Sequence, residues 1–172
     1  MILKNIEIKA KIRDSEKVQK LVEELCPNPV HTEHQEDTFF TTSKGRLKLR
    51  ESDDKSALIY YDRKDSLEPS QSDIAISFTD SPDTLKPVLS KSLGIRGIVK
   101  KNRTLYKYEQ TRIHLDDVEG LGKFIELEVV LKSGQTLKDG EAIANKLMDK
   151  FNIQKTDLID VAYIDLIEAT SS

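Results

Sequence analysis

The stretch Thr111-Arg112-Ile113-His114-Leu115-Asp116-Asp117, followed after Gly120-Leu121-Gly122 by Lys123-Phe124-Ile125-Glu126-Leu127-Glu128-Val129, decides the fold. Both halves alternate with a period of two, which is the mark of a strand with two unlike faces. Ile113 and Leu115 share one face of the first half, and Arg112, His114 and Asp116 share the other. In the second half Ile125, Leu127 and Val129 stand opposite Glu126 and Glu128. The Gly-Leu-Gly turn joins strands at about 111–117 and 123–132 into an antiparallel hairpin.

The same grammar extends outward. Residues 4–13 place Ile6, Ile8, Ala10 and Ile12 on one face and Glu7, Lys9, Lys11 and Arg13 on the other. Asp14 or Ser15 then caps a helix with Val18, Leu21, Val22 and Leu25 at helical spacing, stopped by Pro27 and Pro29. Strands follow at about 36–42 and 46–51 around Ser43-Lys44-Gly45, and at 57–63. A turn-rich loop covers 64–72, and a short strand 73–78 precedes a helix opened by Asp80-Ser81-Pro82. Leu85, Val88, Leu89 and Leu93 form the apolar stripe of that helix and Gly94 its end. A strand at 97–108 leads into the opening hairpin, and a helix at 137–151 carries Ile143, Leu147 and Phe151. A shorter apolar element spans 158–167. Strands mostly follow strands, so the reading is an α+β fold with a mainly antiparallel sheet, one domain over 1–172.

Composition narrows the function classes. The 172 residues carry a net charge of −3 and no Trp, which excludes a basic nucleic-acid coat or an aromatic platform for bases. Charged residues make up 33%, against about 25% in an ordinary soluble domain. Cys26 is the sole cysteine, so there is no internal disulfide framework and no Cys-based zinc cage; it reads as a small buried hydrophobe. No apolar run reaches membrane-spanning length, and Met1 to Glu7 lacks a signal-peptide stretch, so a cytoplasmic protein with no membrane or nucleic-acid partner is expected.

The polar strand faces are too organised to pass over. They gather nine cations (Lys9, Lys11, Arg13; Arg46, Lys48, Arg50; Lys101, Arg103, Arg112) in a protein of net charge −3. Positive charge concentrated in this way suits a polyanion. Glu7, Asp116, Glu126 and Glu128 on the same faces are hard oxygen donors of the kind that hold Mg²⁺ or Mn²⁺ against phosphate. Solvated outer faces, paired across strands, account for the same pattern. Alternation alone does not separate an open sheet from a closed barrel with a charged lumen.

Several motifs in register go further. Glu7-Ile8-Lys9-Ala10-Lys11, Gln35-Glu36-Asp37-Thr38-Phe39-Phe40 and Arg46-Leu47-Lys48-Leu49-Arg50 come first. They are followed by Tyr61-Asp62-Arg63, Lys101-Asn102-Arg103, the run from Leu115 to Glu128, and Ala162-Tyr163-Ile164-Asp165-Leu166-Ile167. Together they resemble the CYTH, or triphosphate tunnel metalloenzyme, superfamily, on the side of its class IV adenylyl cyclase-like branch. The resemblance implies an antiparallel eight-stranded β-barrel with flanking helices, enclosing a charged tunnel. It implies metal ligation by Glu7, Asp116, Glu126 and Glu128, with Mg²⁺ or Mn²⁺ as cofactor. Lys9, Lys11, Arg46, Lys48, Arg50, Arg63, Lys101 and Arg103 would bind the triphosphate, with Lys11, Arg50 and Lys101 catalytic. His31, His34 and His114 read as structural or surface residues, His114 at most bordering the tunnel, and Tyr163 as a residue of its mouth.

The family signature Glu-x-Glu-x-Lys departs here, since Lys9 stands at the second acid. The implied activity is metal-dependent phosphate release from tripolyphosphate, thiamine triphosphate or another organic triphosphate, in a monomer or homodimer. One alternative is class IV-type cyclisation of ATP to cyclic AMP and pyrophosphate. The other, prompted by Lys9, is a weakly active module that binds polyphosphate or nucleotide.

Overall fold

Strand β1 (Ile2–Lys11) is where the sheet closes on itself in the computed structural model, which describes residues 2–171. Met1 and Ser172, the ends of the expected 1–172 domain, lie outside the described residues. After β1 come α1 (Ser15–Leu25), β2 (His31–Phe40), β3 (Arg46–Ser52), β4 (Ser56–Arg63) and β5 (Ser70–Thr79). Then follow α2 (Pro82–Leu93), β6 (Ile95–Tyr108), β7 (Thr111–Val118), β8 (Gly122–Val130) and α3 (Leu137–Lys150). A 3-10 turn at Lys155–Asp157, β9 (Leu158–Ile159) and α4 (Tyr163–Ser171) complete the order.

The strands pair in the order β5-β4-β3-β2-β6-β7-β8-β1, every neighbour antiparallel, and β1 returns to β5. One edge of β1 meets β8 from Asn5↔Val130 to Lys11↔Phe124, while the other meets β5 from Ile2↔Ala75 to Glu7↔Ser70. Beyond Glu7 the edge left by β5 is taken by β9 through Lys9↔Ile159 and Ala10↔Leu158. The result is the closed eight-stranded antiparallel barrel with four helices that the resemblance implied, a shape that leaves no long free edge.

Its hydrophobic core lies outside the sheet. Ile6, Ile8 and Ala10 of β1 and Ile125 and Leu127 of β8 turn outward against Val18 and Val22 of α1 and Ala144, Leu147 and Met148 of α3. The Asp14 carboxylate starts α1 by accepting from the Lys17 backbone N–H at 3.1 Å. Helix α3 comes so close that a Cβ on Gly140 would lie 2.6 Å from Ile6 Cγ1. A second cluster, with Val99, Val118 and Phe124 beneath Tyr163 and Ile164, seats α4 on β6. Gly97 permits that seat, since its Cβ would fall 2.5 Å from Ile164 Cδ1. With the apolar parity facing outward, the charged parity faces the lumen.

Three expectations shift. Strand β2 starts at His31 and β5 at Ser70, because barrel neighbours (β6 for β2, β1 for β5) extend pairing into polar sequence. The loop is thereby cut to 64–69. The apolar segment 158–167 divides into β9 and α4. In α2 the predicted stripe is only half covered: Leu85 and Leu89 are half-buried, whereas Val88 is 63% and Leu93 39% exposed. That helix packs chiefly on β2 and β3, and the Val88 flank of its stripe meets water.

Candidate active site

The lumen is a cavity of about 920 Å³, its open mouth included, lined by residues from every strand of the barrel. On one side four cations crowd together, Lys48 and Arg50 from β3 and Lys101 and Arg103 from β6. Asp37 of β2, between those two strands, holds three of them. Arg50 donates to both its oxygens at 2.8 Å, Lys101 to Oδ2 at 2.9 Å, and Lys48 lies 3.2 Å away. Burial works to raise the Asp37 pKa, but Arg50, Lys101 and Lys48 outweigh it and hold the carboxyl well below its usual range. The lysines show the opposite strain. Burial, with Arg50 and Arg103 nearby, brings Lys101 down to about 7, and burial with Arg50 brings Lys48 to about 8.

Acids occupy the β1–β8 side, arranged as two rungs of the ladder. Glu7 stands directly opposite Glu128, and Lys9 directly opposite Glu126. Burial first, then Glu126 and Glu128, push the Glu7 carboxyl up to about 8, although Tyr61 donates to its Oε2 at 2.7 Å. Glu128 accepts from Asn5 Nδ2 at 2.6 Å. On the second rung the Lys9 ammonium is 3.7 Å from Glu126 Oε2 and 3.4 Å from the Val161 carbonyl. His114 Nδ1 lies 3.4 Å from Glu126 Oε1, and burial with Arg103 lowers the imidazole's pKa. The remaining wall, on β4 and β5, is apolar: Ile59, Ile74 and Ile76, with Phe39 and Val99 adjoining.

The structure therefore brings Glu7, Lys9, Arg46, Lys48, Arg50, Lys101, Arg103, Glu126 and Glu128 to one cavity wall. Three expected residues stand elsewhere. Lys11 is exposed and off the cavity wall, although β1 still pairs with β8 there through Lys11↔Phe124. Asp116 is buried behind the wall, where its oxygens accept from Arg103 Nε and Nη2, each at 2.7 Å, and from the Tyr163 hydroxyl at 2.7 Å. Arg63 borders a small side cavity with its guanidinium 3.8 Å from Glu7. Arg46 is on the wall but engaged with Asp165 of α4 at 2.9 Å. Sequence reasoning gave no role to Asp37, Tyr61 or the isoleucine wall. Asp37 carried a signal only in hindsight of register, which sets it across from Arg50. Tyr163, read as a mouth residue, and Arg112 and His114 all line the cavity.

These donors fit a divalent ion in part. Glu7 and Glu128 are buried carboxyl groups on facing positions, and a cation between them would favour ionisation of Glu7, whose pKa burial and its acidic neighbours raise to about 8. Asp116 does not fit, because both its oxygens are committed. Among the described residues no three His, Cys, Asp or Glu side chains converge into a complete ligand set. An ion between Glu7 and Glu128, with Glu126 one rung away, would need water or substrate oxygens to fill its shell, which is how Mg²⁺ sits at phosphate sites.

A closed antiparallel barrel with its polar faces turned inward around facing groups of cations and acids defines a tunnel protein for an anionic ligand. The CYTH domain model matches residues 3–163, and the chain belongs to that family. A Methanocaldococcus jannaschii protein named "putative adenylate cyclase" is 28% identical, the match covering 94% of this chain and 97% of that one. Among solved structures, a Pyrococcus horikoshii protein superposes with a TM-score of 0.84 at 24% identity, over 94% of this chain and 98% of that one. A Hippeastrum protein, described as a putative adenylyl cyclase with a dominant triphosphatase activity, gives a TM-score of 0.65 at 19% identity. That match covers 92% of this chain and 91% of the other. At such identities the structural likeness concerns the fold.

Proposed function

We propose that this chain is a metal-dependent phosphohydrolase that releases phosphate from a triphosphate held in the lumen. The observation that carries the reading is the nest of Lys48, Arg50 and Lys101 around the single carboxylate of Asp37. Four cations, Lys101 and Arg103 buried and Lys48 and Arg50 half-buried, have only Asp37 and Asp116 in close contact, and a polyphosphate supplies further negative charge. Arg50 and Arg103 present guanidinium planes fixed by Asp37 and Asp116, suited to forked bonding of phosphate oxygens. Lys101 and Lys48 add point charges that become fully protonated beside a polyanion.

A divalent ion between Glu7 and Glu128, with Glu126 one rung away, would supply Lewis-acid polarisation of a phosphoryl oxygen. The chain's cations do the rest. They hold the triphosphate in line and meet the charge that builds on the transferring group as water attacks the terminal phosphorus. The wall of Ile59, Ile74 and Ile76 offers nothing to phosphate but can cover an apolar organic group, which favours an organic triphosphate over bare tripolyphosphate.

Cyclisation of ATP is the second reading, favoured by the name of the M. jannaschii relative. Both reactions use the same nest and differ in which phosphorus lies by the metal. Incubation with tripolyphosphate, thiamine triphosphate and ATP, each with Mg²⁺ and with Mn²⁺, separates them. Orthophosphate is the expected product. Pyrophosphate with cyclic AMP would replace hydrolysis by cyclisation, and tight binding without product would reduce the protein to a binding module.

A further inference from the structure

We infer that Lys9 is a tethered counter-ion that closes the second rung to metal, so that the lumen takes one divalent ion, at the Glu7–Glu128 rung. The inference rests on the metal-dependent reading above and deepens it.

Two neighbouring rungs of the same ladder differ in one residue. Glu7 faces Glu128, acid on acid, whereas Lys9 faces Glu126, cation on acid. Residues i and i+2 of a strand lie roughly 6–7 Å apart on one face, so the rungs are adjacent but separate positions for charge. The first has Arg63 at 3.8 Å from Glu7 and Arg112 opposite Glu128 on the β7–β8 ladder, but among the described residues no cation lies within ion-pair distance of the Glu128 carboxylate. The second already holds one.

Lys9 is built into that place and has not merely strayed there. Its side chain is 7% exposed. The ammonium has the Glu126 carboxylate at 3.7 Å, the Val161 carbonyl at 3.4 Å and the Tyr163 ring with its centroid at 4.2 Å. A carboxylate, a carbonyl and an aromatic face make a cradle for a cation. The cradle is itself fixed, because the Tyr163 hydroxyl donates to Asp116 at 2.7 Å and its ring tilts against Phe124 at 5.0 Å between centroids. Asp116 is thereby committed to positioning Tyr163 and Arg103. A divalent ion at the second rung would have to expel an ammonium that three groups hold.

The test counts metal directly. Mn²⁺ alone is titrated into the full chain, with bound ion read from loss of the free-ion electron paramagnetic resonance signal. One ion per chain is expected for the natural protein. Lys9→Glu, which makes both rungs acid on acid, is expected to bind two, with the line broadening of a neighbouring pair. Two ions in the natural protein, or one in each, would overturn the assignment while leaving metal-dependent function standing. None in either would overturn the metal reading and the inference together. Should Lys9→Glu not fold, Lys9→Gln decides. Removing a positive charge one rung from the ion is expected to tighten Mn²⁺ binding at the remaining site about tenfold, and unchanged or weaker binding refutes the counter-ion role.

Discussion

Lys101 donates to Asp37 Oδ2 across 2.9 Å inside the barrel, where the two groups are 2% and 1% exposed. They sit on adjacent strands, β6 and β2, and the same carboxylate also serves Arg50 and Lys48. One acid among these cations leaves this side of the lumen short of negative charge. Burial first, then Arg50, Arg103 and Lys48 working against Asp37, bring the Lys101 pKa to about 7. Such a lumen suits an anion, and on the proposed function its binding would be tied to protons.

The first expectation is proton uptake. At pH 8 most Lys101 is neutral in the free protein, because its pKa lies near 7. A bound triphosphate favours the ammonium and raises that pKa, so a proton enters with the ligand. The lysine contribution to tripolyphosphate affinity should therefore weaken as pH rises from 7 through 9, Lys48 at about 8 adding to the slope. Calorimetry at pH 8 in buffers of different ionisation enthalpy should show uptake, largely lost in Lys101→Met. Equal heats in all buffers would contradict the account.

Asp37 is expected to hold the empty site together. Asp37→Asn leaves Arg50, Lys101 and Lys48 buried without their shared counter-charge, a change of the class that costs about 3–5 kcal/mol. Thermal melts should show a large fall for the ligand-free variant. Tripolyphosphate, able to replace the missing anion, should raise the variant's melting temperature more than that of the natural protein.

Much of this arrangement was legible in the alternation. Leu47 and Leu49 against Arg46, Lys48 and Arg50 already separated outside from lumen, as did Ile125 and Leu127 against Glu126 and Glu128. Closure was not legible from periodicity, because β1 pairing with both β8 and β5 is a contact between segments far apart in sequence. The motif resemblance supplied it. Nor did periodicity find Asp37, whose role depends on the registers Asp37↔Arg50 and Asp37↔Val99. Lys11 shows the converse failure: parity is right and strand pairing continues, but the cavity lining on β1 stops at Lys9 and the Lys11 side chain is exposed.

Substrate choice should respond to the isoleucine wall. Ile74→Thr keeps the β-branch, removes the Cδ1 methyl and places a hydroxyl in the apolar cluster of Ala57, Ile59 and Ile74. Losing about 1–2 kcal/mol of apolar contact should cut kcat/KM for an organic triphosphate roughly tenfold, with little change for tripolyphosphate. An equal loss on both would assign Ile74 to the fold alone.

Glu128→Gln should move two measurements in opposite directions. The amide oxygen can still accept from Asn5 Nδ2, so the 2.6 Å contact that orients the side chain has a substitute. What disappears is a negative charge facing Glu7 across the ladder. Glu128 is one of the groups that raise the Glu7 pKa, after burial and Glu126. Without ligand the variant should therefore be the more stable protein, by about 1 kcal/mol, or a few degrees in Tm for a chain of this length. With metal the order reverses. The natural protein should gain stability from Mn²⁺, because the ion would bind the folded rung and not the unfolded chain. The variant has lost half of that rung and should lose most of the gain. Tripolyphosphate without metal should stabilise both alike, since its cations on β3 and β6 are untouched. A variant that keeps the full Mn²⁺ response would place the ion away from β1 and β8. A ligand-free variant that melts lower would mean that the Glu7–Glu128 rung is held by a bond to the carboxylate that the amide fails to replace.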